Sequence, residues 1–427
     1  MADIFAELQW RGLIHQTTDD ENLQKWLNDG PRTLYIGFDP TSDSLHVGSL
    51  LQLMTLRRFQ QAGHKAIALV GGATGMIGDP SGKSDERTLL TPDVLAQNVN
   101  GMREQMKSFL DFDGTDGAML VNNFDWMGEF SYLDFLRDIG KNFPVNVMMA
   151  KDSVKSRLGR DDVGISYTEF SYMLLQAYDF VHLNREYGCE LQVGGSDQWG
   201  NITAGIDLGR RMHAVQLYGI TSPLLTKADG SKMGKTESGA VWLDARKTSP
   251  YQFYQYWVNV SDDDVGKCLR FLTELSREEI EALDAARESD PGGRESQTTL
   301  AQVLTKLVHG DQGLKTAEQA KAVFFGKGKI ADLDVGSLEQ VFADVPSCEV
   351  ARSEFDGDGY AVIDALVATS LCSSKGEARR TIKEGGANVS DSRINDVDAR
   401  LTTADLATDS IVILRRGKKK YALIRLV

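Results

Sequence analysis

Over the first 225 residues, short apolar runs alternate with longer segments in which apolar residues recur at helical spacing. Residues 34–38, 65–70 and 189–193 have the composition of buried parallel strands. Between the first two runs, apolar side chains recur every three or four positions from Leu50 until Gly63 ends the pattern. This alternation predicts an α/β domain with a Rossmann-like parallel sheet.

The second half of the chain has a different pattern. Runs near 262–273, 276–288 and 295–309 have helical spacing and little strand character. Residues 326–359 are richer in Gly, Asp and Pro, which predicts a linker with some local order. The predicted divisions are therefore 1–225 for the parallel-sheet domain, 226–325 for a loop and an α-helical domain, 326–359 for the linker, and 360–427 for a small α+β domain.

Composition places the chain among ordinary globular proteins. Its 427 residues are 41% hydrophobic and 25% charged, enough for real cores and for about three domains at ~150 residues each. The net charge of −14 argues against general affinity for nucleic acid. A local basic surface on an acidic protein can still bind RNA, so the distribution of charge matters more than its sum.

Targeting and cysteine patterns point to the cytoplasm. Residues 1–7 lack the basic and then apolar layout of a secretory signal, and no apolar run approaches membrane-spanning length. The four cysteines are scattered without C-x-x-C spacing, which argues against a disulfide framework and against a zinc site. We expect a cytoplasmic protein with reduced, structural thiols.

The turn after the first predicted strand carries two side chains suited to phosphate. Thr41 follows an Asp-Pro pair, and His46 stands just before the helical run. A helix N-terminus offers unpaired N–H groups and the positive end of the helix dipole, and both favour an anion. We therefore expect Thr41 and His46 to meet phosphate oxygens, although the same pattern also suits an ordinary strand-turn-helix unit.

A glycine-rich loop follows the second predicted strand, over residues 71–82. It matches neither a Walker A sequence nor a G-x-G-x-x-G fingerprint at the expected place. Asp79 suits a turn before Pro80 as well as it suits a ligand contact. Lys83 and Arg87 follow on a polar stretch, where they would either close over a polyphosphate or form solvated surface.

Two further segments place polar groups where ligands bind in open α/β sheets. Tyr172, Gln176 and Asp179 fall on one face of a predicted helix and could hold an ammonium or a hydroxyl group, unless that face meets solvent. After the strand at 189–193, Asp197 is suited to ribose hydroxyls, and Gln192 and Gln198 are suited to orienting a substrate.

The loop at 226–239 is glycine-rich and basic. Lys232 and Lys235, with Thr236, could fold over a triphosphate and neutralise charge as pyrophosphate leaves. A lysine-bearing surface loop is the alternative if this segment is taken alone.

Taken together, these segments resemble the bacterial-type tyrosyl-tRNA synthetases, which are class I aminoacyl-tRNA synthetases. His46-Val47-Gly48-Ser49 resembles the H-I-G-H signature of that family, and Lys232-Met233-Gly234-Lys235-Thr236 resembles its K-M-S-K-S loop. The stretches at 35–41, 78–82, 170–179 and 194–199 resemble its tyrosine and adenylate pocket. The resemblance runs from the first predicted helix to the last strand.

The resemblance implies a reaction. Tyrosine would be activated with ATP to give tyrosyl-adenylate and pyrophosphate, and then passed to the terminal adenosine of tRNA(Tyr). The tyrosine carboxylate would attack the α-phosphorus in line, with catalysis coming mostly from positioning and charge stabilisation. Mg²⁺ would arrive with ATP, and no tightly bound metal is expected.

The resemblance also implies roles for individual residues. Tyr35 and Asp179 would hydrogen-bond the phenol, and Gln198 would lie near the carboxylate of tyrosine. The full substrate set is Tyr35, Asp79, Tyr172, Gln176, Asp179, Gln192 and Gln198. The ATP set is Gly37, Asp39, Thr41, His46, Gly48, Ser49, Gly194, Asp197 and Lys235. The groups meeting phosphates in the transition state are Thr41, His46, Lys83, Arg87, Lys232, Lys235 and Thr236.

The chain departs from the family pattern at a few positions. Ser49 replaces the usual second histidine, whose role therefore cannot be transferred, although serine can still donate a hydrogen bond. Ile36 offers no hydrogen bond to a ribose. Met233 and Gly234 alter the middle of the second signature without removing either lysine.

The tail from residue 360 resembles a small RNA-binding module of a ribosomal-protein type, and the helical segment before it would be the anticodon-side domain. The basic residues expected to contact tRNA phosphates are Arg379, Arg380, Lys383, Arg415, Lys418, Lys419 and Lys420. A homodimer is expected by resemblance. Two alternatives remain open: a synthetase for another aromatic amino acid, chiefly tryptophan, and a non-catalytic RNA-binding paralogue.

Overall fold

A six-stranded sheet organises the first part of the chain in the computed structural model. Its strands are β1 (Gln16–Thr17), β2 (Thr33–Phe38), β3 (Lys65–Val70), β4 (Met119–Asn122), β5 (Cys189–Gly195) and β6 (Tyr218–Ser222). They lie in the order β1-β6-β5-β2-β3-β4. All neighbours are parallel except β1, which runs antiparallel to β6. The predicted α/β class with a parallel sheet is confirmed.

The structure describes most of the chain, in several stretches. They are residues 3–81, 90–114, 117–151, 154–155, 164–236, 239–324, 328–330, 333, 338, 341–342, 345–417 and 420–427.

The strand order changes direction between β5 and β2. The chain runs outward from β2 through β3 to β4 and then returns to place β5 on the other side of β2. The carboxyl ends of β2 and β5 therefore flank a crevice of the kind in which open α/β sheets bind ligands.

Helices connect and cover these strands. Those described up to β6 are α1 (Ile4–Arg11), α2 (Asp20–Asn28), α3 (Val47–Gln61), α4 (Thr74–Ile77), α5 (Pro92–Met106), α6 (Phe124–Met127), α7 (Tyr132–Asp138), α8 (Val145–Met149), α9 (Tyr167–Tyr187) and α10 (Trp199–His213). Helix α9 shows how sequence sets such boundaries. The Ser166 hydroxyl accepts the Glu169 N–H at its start, and Gly188 adopts the left-handed conformation at its end.

The chain divides into two compact units that do not follow chain order. The first contains residues 1–244 and 260–300, and the second contains residues 245–259 and 301–427. The first unit also includes the short hairpin β7 (Lys235–Thr236) and β8 (Gly239–Ala240), and the helices α12 (Asp262–Leu272) and α13 (Arg277–Ser289).

The second unit combines helices with a small sheet. Helix α11 (Pro250–Val258) belongs to it, as does most of α14 (Glu295–Phe324), which is kinked at Gly310. Beyond these lie α15 (Val362–Ala368) and α16 (Lys375–Lys383). The strands are β9 (Ser347–Val350), β10 (Tyr360–Ala361), β11 (Ala387–Val389), β12 (Ser392–Arg393), β13 (Arg400–Leu401), β14 (Ile411–Arg416) and β15 (Lys420–Leu426). Five of them form the sheet β12-β11-β14-β15-β9, which confirms the small α+β fold at the end of the chain.

The segment predicted as a linker contains β9, which pairs in parallel with β15. Its residues thus contribute to the terminal sheet, although Gly, Asp and Pro are frequent around them. The four cysteines are free thiols, as expected, and Cys189, Cys268 and Cys372 are buried. Within the described residues, no helix has both the length and the apolar character needed to cross a bilayer.

Candidate active site

A cavity of about 320 Å³ opens at the carboxyl ends of β2 and β5. It brings together residues that are far apart in the chain, because two neighbouring strands and the helices after them end at the same edge of the sheet. The predicted site residues that line it are Tyr35, Gly37, Asp39, Gly48, Asp79, Tyr172, Gln176, Asp179, Gln192, Gly194, Asp197, Gln198 and Lys232.

A tyrosine and a carboxylate meet at the buried end of the cavity. Tyr35 on β2 is fully buried, and its hydroxyl has no hydrogen-bond partner among the residues that the structure describes. Asp179 on α9 is 1% exposed, and its carboxylate accepts hydrogen bonds from Trp126 Nε1 at 2.9 Å and Asn123 Nδ2 at 3.0 Å. Since buried polar groups are normally paired, the Tyr35 hydroxyl is suited to a ligand hydroxyl in this space.

Burial controls the protonation of both groups. It raises the pKa of Asp179 to about 7, although the hydrogen bonds from Asn123 and Trp126 act in the opposite direction. Burial also raises the pKa of Tyr35 well above its ordinary value, and the nearby Asp179 charge adds to this shift. Tyr35 therefore stays a neutral phenol, whereas Asp179 titrates near neutral pH.

A chain of hydrogen bonds connects this end of the cavity with Asp39. The Asn123 amide also donates to Thr74 Oγ1 at 3.1 Å, and the Thr74 hydroxyl donates to Asp39 Oδ1 at 2.9 Å. From the opposite side, the Tyr172 hydroxyl donates to Asp39 Oδ2 at 2.9 Å. These bonds fix Asp39, just after β2, and Asn123, just before α6, relative to the side chains on α4 and α9.

Amides and a second carboxylate form the middle of the cavity. Gln198 Nε2 donates to Asp79 Oδ2 at 2.7 Å, and Gln176 Nε2 donates to Gln198 Oε1 at 3.3 Å. Within the described part of the chain, the Oε1 atoms of Gln176 and Gln192 are buried and have no hydrogen-bond partner. The group is therefore rich in acceptors, which suits a cationic or hydroxyl-bearing ligand.

The start of α3 differs in detail from the expectation of unpaired N–H groups. The Val47 N–H donates to the Val241 carbonyl at 2.9 Å, and the Ser49 N–H donates to the His46 carbonyl at 2.8 Å. Two donors are thus already used within the chain, because residues 241–243 lie alongside residues 45–47. The expectation that the Val47 and Ser49 N–H groups are free to bind phosphate was wrong.

Three predicted nucleotide side chains close to this helix in the sequence, Thr41, His46 and Ser49, are not in the wall of the cavity. Thr41 is exposed in the turn after Pro40, while His46 and Ser49 are half-buried. The His46 imidazole packs against Gly48, since a Cβ added to that glycine would lie 2.8 Å from His46 Cε1.

The second signature loop reaches the cavity through Lys232. Partial burial raises the pKa of Asp197, and the charge of Asp79 adds to the rise, whereas the charge of Lys232 opposes it. Lys235 and Thr236 form β7, and their side chains lie outside the described part of the structure. Lys83 and Arg87 lie outside the described residues.

The candidate tRNA-binding residues lie in the second unit. Arg379, Arg380 and Lys383 are exposed on α16, and Lys420 is exposed at the start of β15. Arg415 is half-buried, and its guanidinium lies 5.9 Å from the centre of the Tyr421 ring. Lys418 and Lys419 lie outside the described residues.

Several residues of the site are absent from the sequence prediction. Gln52 lines the cavity, donates to Ser222 Oγ at 3.0 Å and has a buried Oε1 without a partner. Thr74 and Ser81 also line it, while Asn123 and Trp126 hold Asp179. Ser81 falls within the stretch 78–82 named above, although no role was assigned to it, and no motif marks the other residues. Gln52 stands four residues after Gly48 on α3, and both line the cavity, so helical spacing from the first signature is the local signal that could have found it.

Two family models match the chain. One is described as tRNA synthetases class I (W and Y) and matches residues 27–326. The other is described as the Tyrosine–tRNA ligase SYY-like C-terminal domain and matches residues 337–424.

Curated relatives match over nearly the whole length. The chain is 59% identical over 423 residues to the tyrosine–tRNA ligase of Rhodopirellula baltica, covering 99% of this chain and 96% of the relative. It is 52% identical over 428 residues to that of Roseiflexus castenholzii, covering 100% of both chains.

Solved structures agree with these matches. A C-terminally truncated mitochondrial tyrosyl-tRNA synthetase of Aspergillus nidulans superposes with a TM-score of 0.68 at 31% identity, over 76% of this chain and 95% of that one. A tryptophanyl-tRNA synthetase of Encephalitozoon cuniculi has a TM-score of 0.54 at 14% identity, over 73% of this chain and 89% of that one. The latter likeness concerns the fold alone.

Proposed function

The chain belongs to the tyrosine–tRNA ligases, which are class I aminoacyl-tRNA synthetases, and we propose how its residues divide the work of that reaction. It activates L-tyrosine with ATP to give tyrosyl-adenylate and pyrophosphate, and then transfers tyrosine to the terminal adenosine of tRNA(Tyr). Its substrates are therefore tyrosine, ATP and tRNA.

Tyr35 and Asp179 recognise the substrate phenol. The Tyr35 hydroxyl donates to the phenol oxygen, and the phenol O–H is donated to the Asp179 carboxylate. The buried, unpaired hydroxyl of Tyr35 beside the buried carboxylate of Asp179 is the observation that carries this proposal. Phenylalanine would leave the Tyr35 hydroxyl without a partner and would give Asp179 no donor beyond Asn123 and Trp126, and tryptophan would place its ring nitrogen differently.

The middle of the cavity receives the amino acid head group. Asp79, Tyr172 and Gln176 hold the ammonium, and Gln192 and Gln198 orient the carboxylate end. The buried, unpaired Oε1 of Gln176 supports this assignment, because an ammonium supplies three donors to such acceptors. The tyrosine carboxylate then attacks the α-phosphorus of ATP in line.

The nucleotide lies between the ends of β2 and β5. Asp197 accepts ribose hydroxyls, Thr41 and His46 meet phosphate oxygens, and backbone near the remaining glycines approaches the nucleotide closely. The remaining ATP contacts in this proposal are Gly37, Asp39, Gly48, Ser49 and Gly194. Their support is that most of them line the same cavity as the tyrosine groups.

Charge that develops on the departing pyrophosphate is met by basic residues and by Mg²⁺. Lys232, Lys235, Thr236, Lys83 and Arg87 supply the side chains in this proposal. Mg²⁺ enters with ATP, bound mainly by phosphate oxygens and water. The support is the position of Lys232 at the cavity wall, where its charge acts on Asp197.

ATP–pyrophosphate exchange without tRNA tests the pocket assignment directly. Purified protein is given ATP, Mg²⁺ and either tyrosine, phenylalanine or tryptophan. We expect exchange with tyrosine alone. Exchange supported equally by phenylalanine would refute the roles of Tyr35 and Asp179, and exchange with tryptophan alone would favour the related tryptophan enzyme. No exchange with any of the three would favour the non-catalytic paralogue and make Ser49→His the first variant to test.

We also propose that residues 226–325 contain the anticodon-side helices and that residues 360–427 bind tRNA. Three exposed basic residues on one face of α16 support the second assignment: Arg379, Arg380 and Lys383. Arg415 and Lys418 to Lys420 complete the proposed surface. Because tRNA is charged and used in the cytoplasm, we propose a cytoplasmic location.

Finally, we propose a homodimer. Large apolar side chains are exposed on α7 and α8 and at the start of α9, with Leu133 75% exposed, Tyr132 64% and Tyr167 62%. Exposed apolar side chains that meet in one patch mark association surfaces, and closed twofold dimers are the commonest oligomer. Light scattering should give twice the 47.0 kDa chain mass, and Leu133→Glu should shift it toward a single chain. A monomeric wild-type protein would refute the proposal.

A further inference from the structure

We propose that Asp264 and Lys267, two residues of α12, position the loop that carries Lys232 for tyrosine activation. The inference rests on the role proposed above for Lys232. Neither residue lies in the cavity wall, so both would act through the loop as positioning residues.

The loop begins as a tight hairpin. Thr226 and Lys232 form a β-bridge, and the Met233 N–H donates to the Leu225 carbonyl at 3.0 Å. Within the turn, the Lys227 N–H donates to the Ser231 carbonyl at 2.8 Å. Lys232 thus lies on one strand of a small hydrogen-bonded hairpin. Contacts that fix the hairpin therefore also fix the backbone position of Lys232.

Helix α12 binds the other arm of the hairpin through two charged side chains. Asp264 is 6% exposed, and its Oδ1 accepts the Ala228 N–H at 2.7 Å while its Oδ2 accepts the Ser261 hydroxyl at 2.7 Å. Lys267 Nζ donates to the Thr226 carbonyl at 2.6 Å. Hydrogen bonds that involve a charged group are stronger than neutral ones, so these contacts fix the hairpin more firmly than packing alone.

The end of the hairpin is held between α12 and the start of α3. Met233 is 5% exposed, and its sulfur lies 3.4 Å from the Cys268 sulfur on α12. Gly234 has a φ of +85°, and a Cβ added there would lie 2.9 Å from Val47 Cβ. The hairpin therefore occupies a defined place between the two helices, with Lys232 directed to the cavity that it lines.

This arrangement should matter most in the activation step. A lysine that neutralises charge on departing pyrophosphate is effective only if it is held close to where that charge develops. Once pyrophosphate has left, transfer of tyrosine from the adenylate to tRNA no longer needs that charge. Loss of Asp264 or Lys267 should consequently slow activation and leave both tyrosine binding and transfer unchanged.

The experiment uses the full chain and compares Asp264→Ala and Lys267→Met with the control Asp263→Ala. Asp263 is an exposed carboxylate in the same first helical turn as Asp264, so its loss matches Asp264→Ala in charge and in helix-dipole interaction, whereas Lys267→Met is judged against the wild type as well. We expect the first two variants to lower kcat for tyrosine activation by at least about fivefold relative to the control, with KM for tyrosine unchanged. Asp264→Asn keeps an oxygen for the Ala228 N–H and should retain most of the rate.

A second comparison separates positioning from folding. Single-turnover transfer from preformed tyrosyl-adenylate to tRNA should proceed at the wild-type rate in both variants. Asp264→Ala combined with Lys232→Ala should be no slower in activation than Lys232→Ala alone, because the two residues act through the same group. If Asp264→Ala does not fold, Lys267→Met carries the test, since it removes the ammonium and keeps the aliphatic stem.

Three outcomes would overturn the inference. The first is activation in both variants at the rate of Asp263→Ala while Lys232→Ala is slow. The second is an equal loss in activation, transfer and tyrosine affinity, which would indicate a purely structural role. The third is a wild-type rate in Lys232→Ala, which would refute the proposed function of that lysine and with it the premise of the inference.

Discussion

Asp179 is a carboxylate that is held ready to accept a hydrogen bond but is costly to ionise. Its pKa is about 7 because it is buried, and the donors Asn123 and Trp126 keep the rise from being larger. A ligand that donates a hydrogen bond to the carboxylate would stabilise its charged form further. Binding of an amino acid that carries a phenol and ionisation of Asp179 should therefore favour each other.

Removing either phenol-binding group should relax discrimination against phenylalanine. Tyrosine–tRNA ligases are known to reject phenylalanine by about 10⁵-fold, a value already established for this enzyme class. Tyr35→Phe removes a neutral hydrogen bond worth about 1 kcal/mol. The ratio of kcat/KM for tyrosine to kcat/KM for phenylalanine should therefore fall roughly fivefold. Asp179→Asn should lower the ratio more, because a charged acceptor is removed. Unchanged ratios in both variants would contradict the assignment.

Tyrosine affinity should depend on pH in the neutral range. An ionised carboxylate accepts the phenol O–H better than its protonated form does, and with a pKa of about 7 the ionised fraction of Asp179 rises as pH increases. From pH 6 to pH 8 this fraction increases as much as about tenfold, so KM for tyrosine should fall over that interval. Asp179→Asn should abolish the dependence, and a profile that is flat in the wild type would contradict it.

His182 is the nearby group that most needs to be distinguished from Asp179 in this profile. Its imidazole stacks on Trp126 with ring centres 4.2 Å apart. Burial lowers the pKa of His182 from its ordinary value, whereas burial raises the pKa of Asp179, so the two groups shift in opposite directions. A step that moved with His182→Gln rather than with Asp179→Asn would assign the dependence to the histidine.

Trp126 should set the midpoint of the same profile. Trp126→Phe keeps an aromatic ring beside His182 but removes the N–H that donates to Asp179. Without this donor the charged form of Asp179 is less stable, so the midpoint of the KM profile should move to higher pH by about one unit, equivalent to ~1.4 kcal/mol. A midpoint that stays in place would show that the indole does not control the carboxylate.

Sequence patterns locate some members of this site and miss others for a physical reason. Tyr172, Gln176 and Asp179 were grouped by helical spacing, and the structure brings all three to the cavity wall. Asn123 and Trp126 reach Asp179 from a short helix 53 or more residues earlier, and no local period connects them with α9. Contacts between residues so far apart in the chain depend on how the elements pack against one another. The spacing of residues along the chain does not determine that packing.

At the scale of elements, the sequence predicts the helix and strand boundaries that depend on neighbouring residues in the chain. Helix α3 and the strands β2, β3 and β5 were predicted from the spacing of apolar residues, and a glycine was predicted to end the helix. All four elements lie where that pattern indicated. Bonds between elements were not predictable. The Val47 N–H binds Val241, nearly 200 positions later, which removes a donor that the local pattern left free for phosphate.

Gly234 restricts the conformation of the loop that carries Lys232 and Lys235. Its φ of +85° is unfavourable for other residues, and an added Cβ would approach Val47 to 2.9 Å. We expect Gly234→Ala to displace the loop and to lower kcat for activation by about fivefold or more, given a strain of ~1–3 kcal/mol. Gly230→Ala, with a φ of +83° and no neighbour within 4 Å of its Cβ, is the matched control for backbone strain. Equal losses in the two variants would exclude the contact with Val47 as the cause.

At the scale of the whole molecule, an acidic protein must bind a polyanion. The net charge of −14 repels tRNA at long range, so binding requires local clusters in which the sign is reversed. The exposed basic residues of α16 form such a cluster, and one neighbouring arginine does not contribute to it. Arg416 instead binds Glu377 at 2.7 Å and the Leu371 carbonyl at 2.7 Å, which fixes the start of α16 against the sheet.

The two steps of the reaction should therefore respond differently to salt. Tyrosine activation involves small substrates in the cavity, whereas tRNA affinity should fall steeply with ionic strength as phosphate contacts release counterions. Replacing Arg379, Arg380 and Lys383 together by alanine should reduce the slope of log affinity against log salt by about one for each phosphate that the variant no longer neutralises, up to about three. Pyrophosphate exchange in this variant should match the wild type at every salt concentration. An unchanged tRNA slope would move the RNA-binding surface away from α16, whereas a loss of exchange would mean that the substitutions act on the fold rather than on the tRNA.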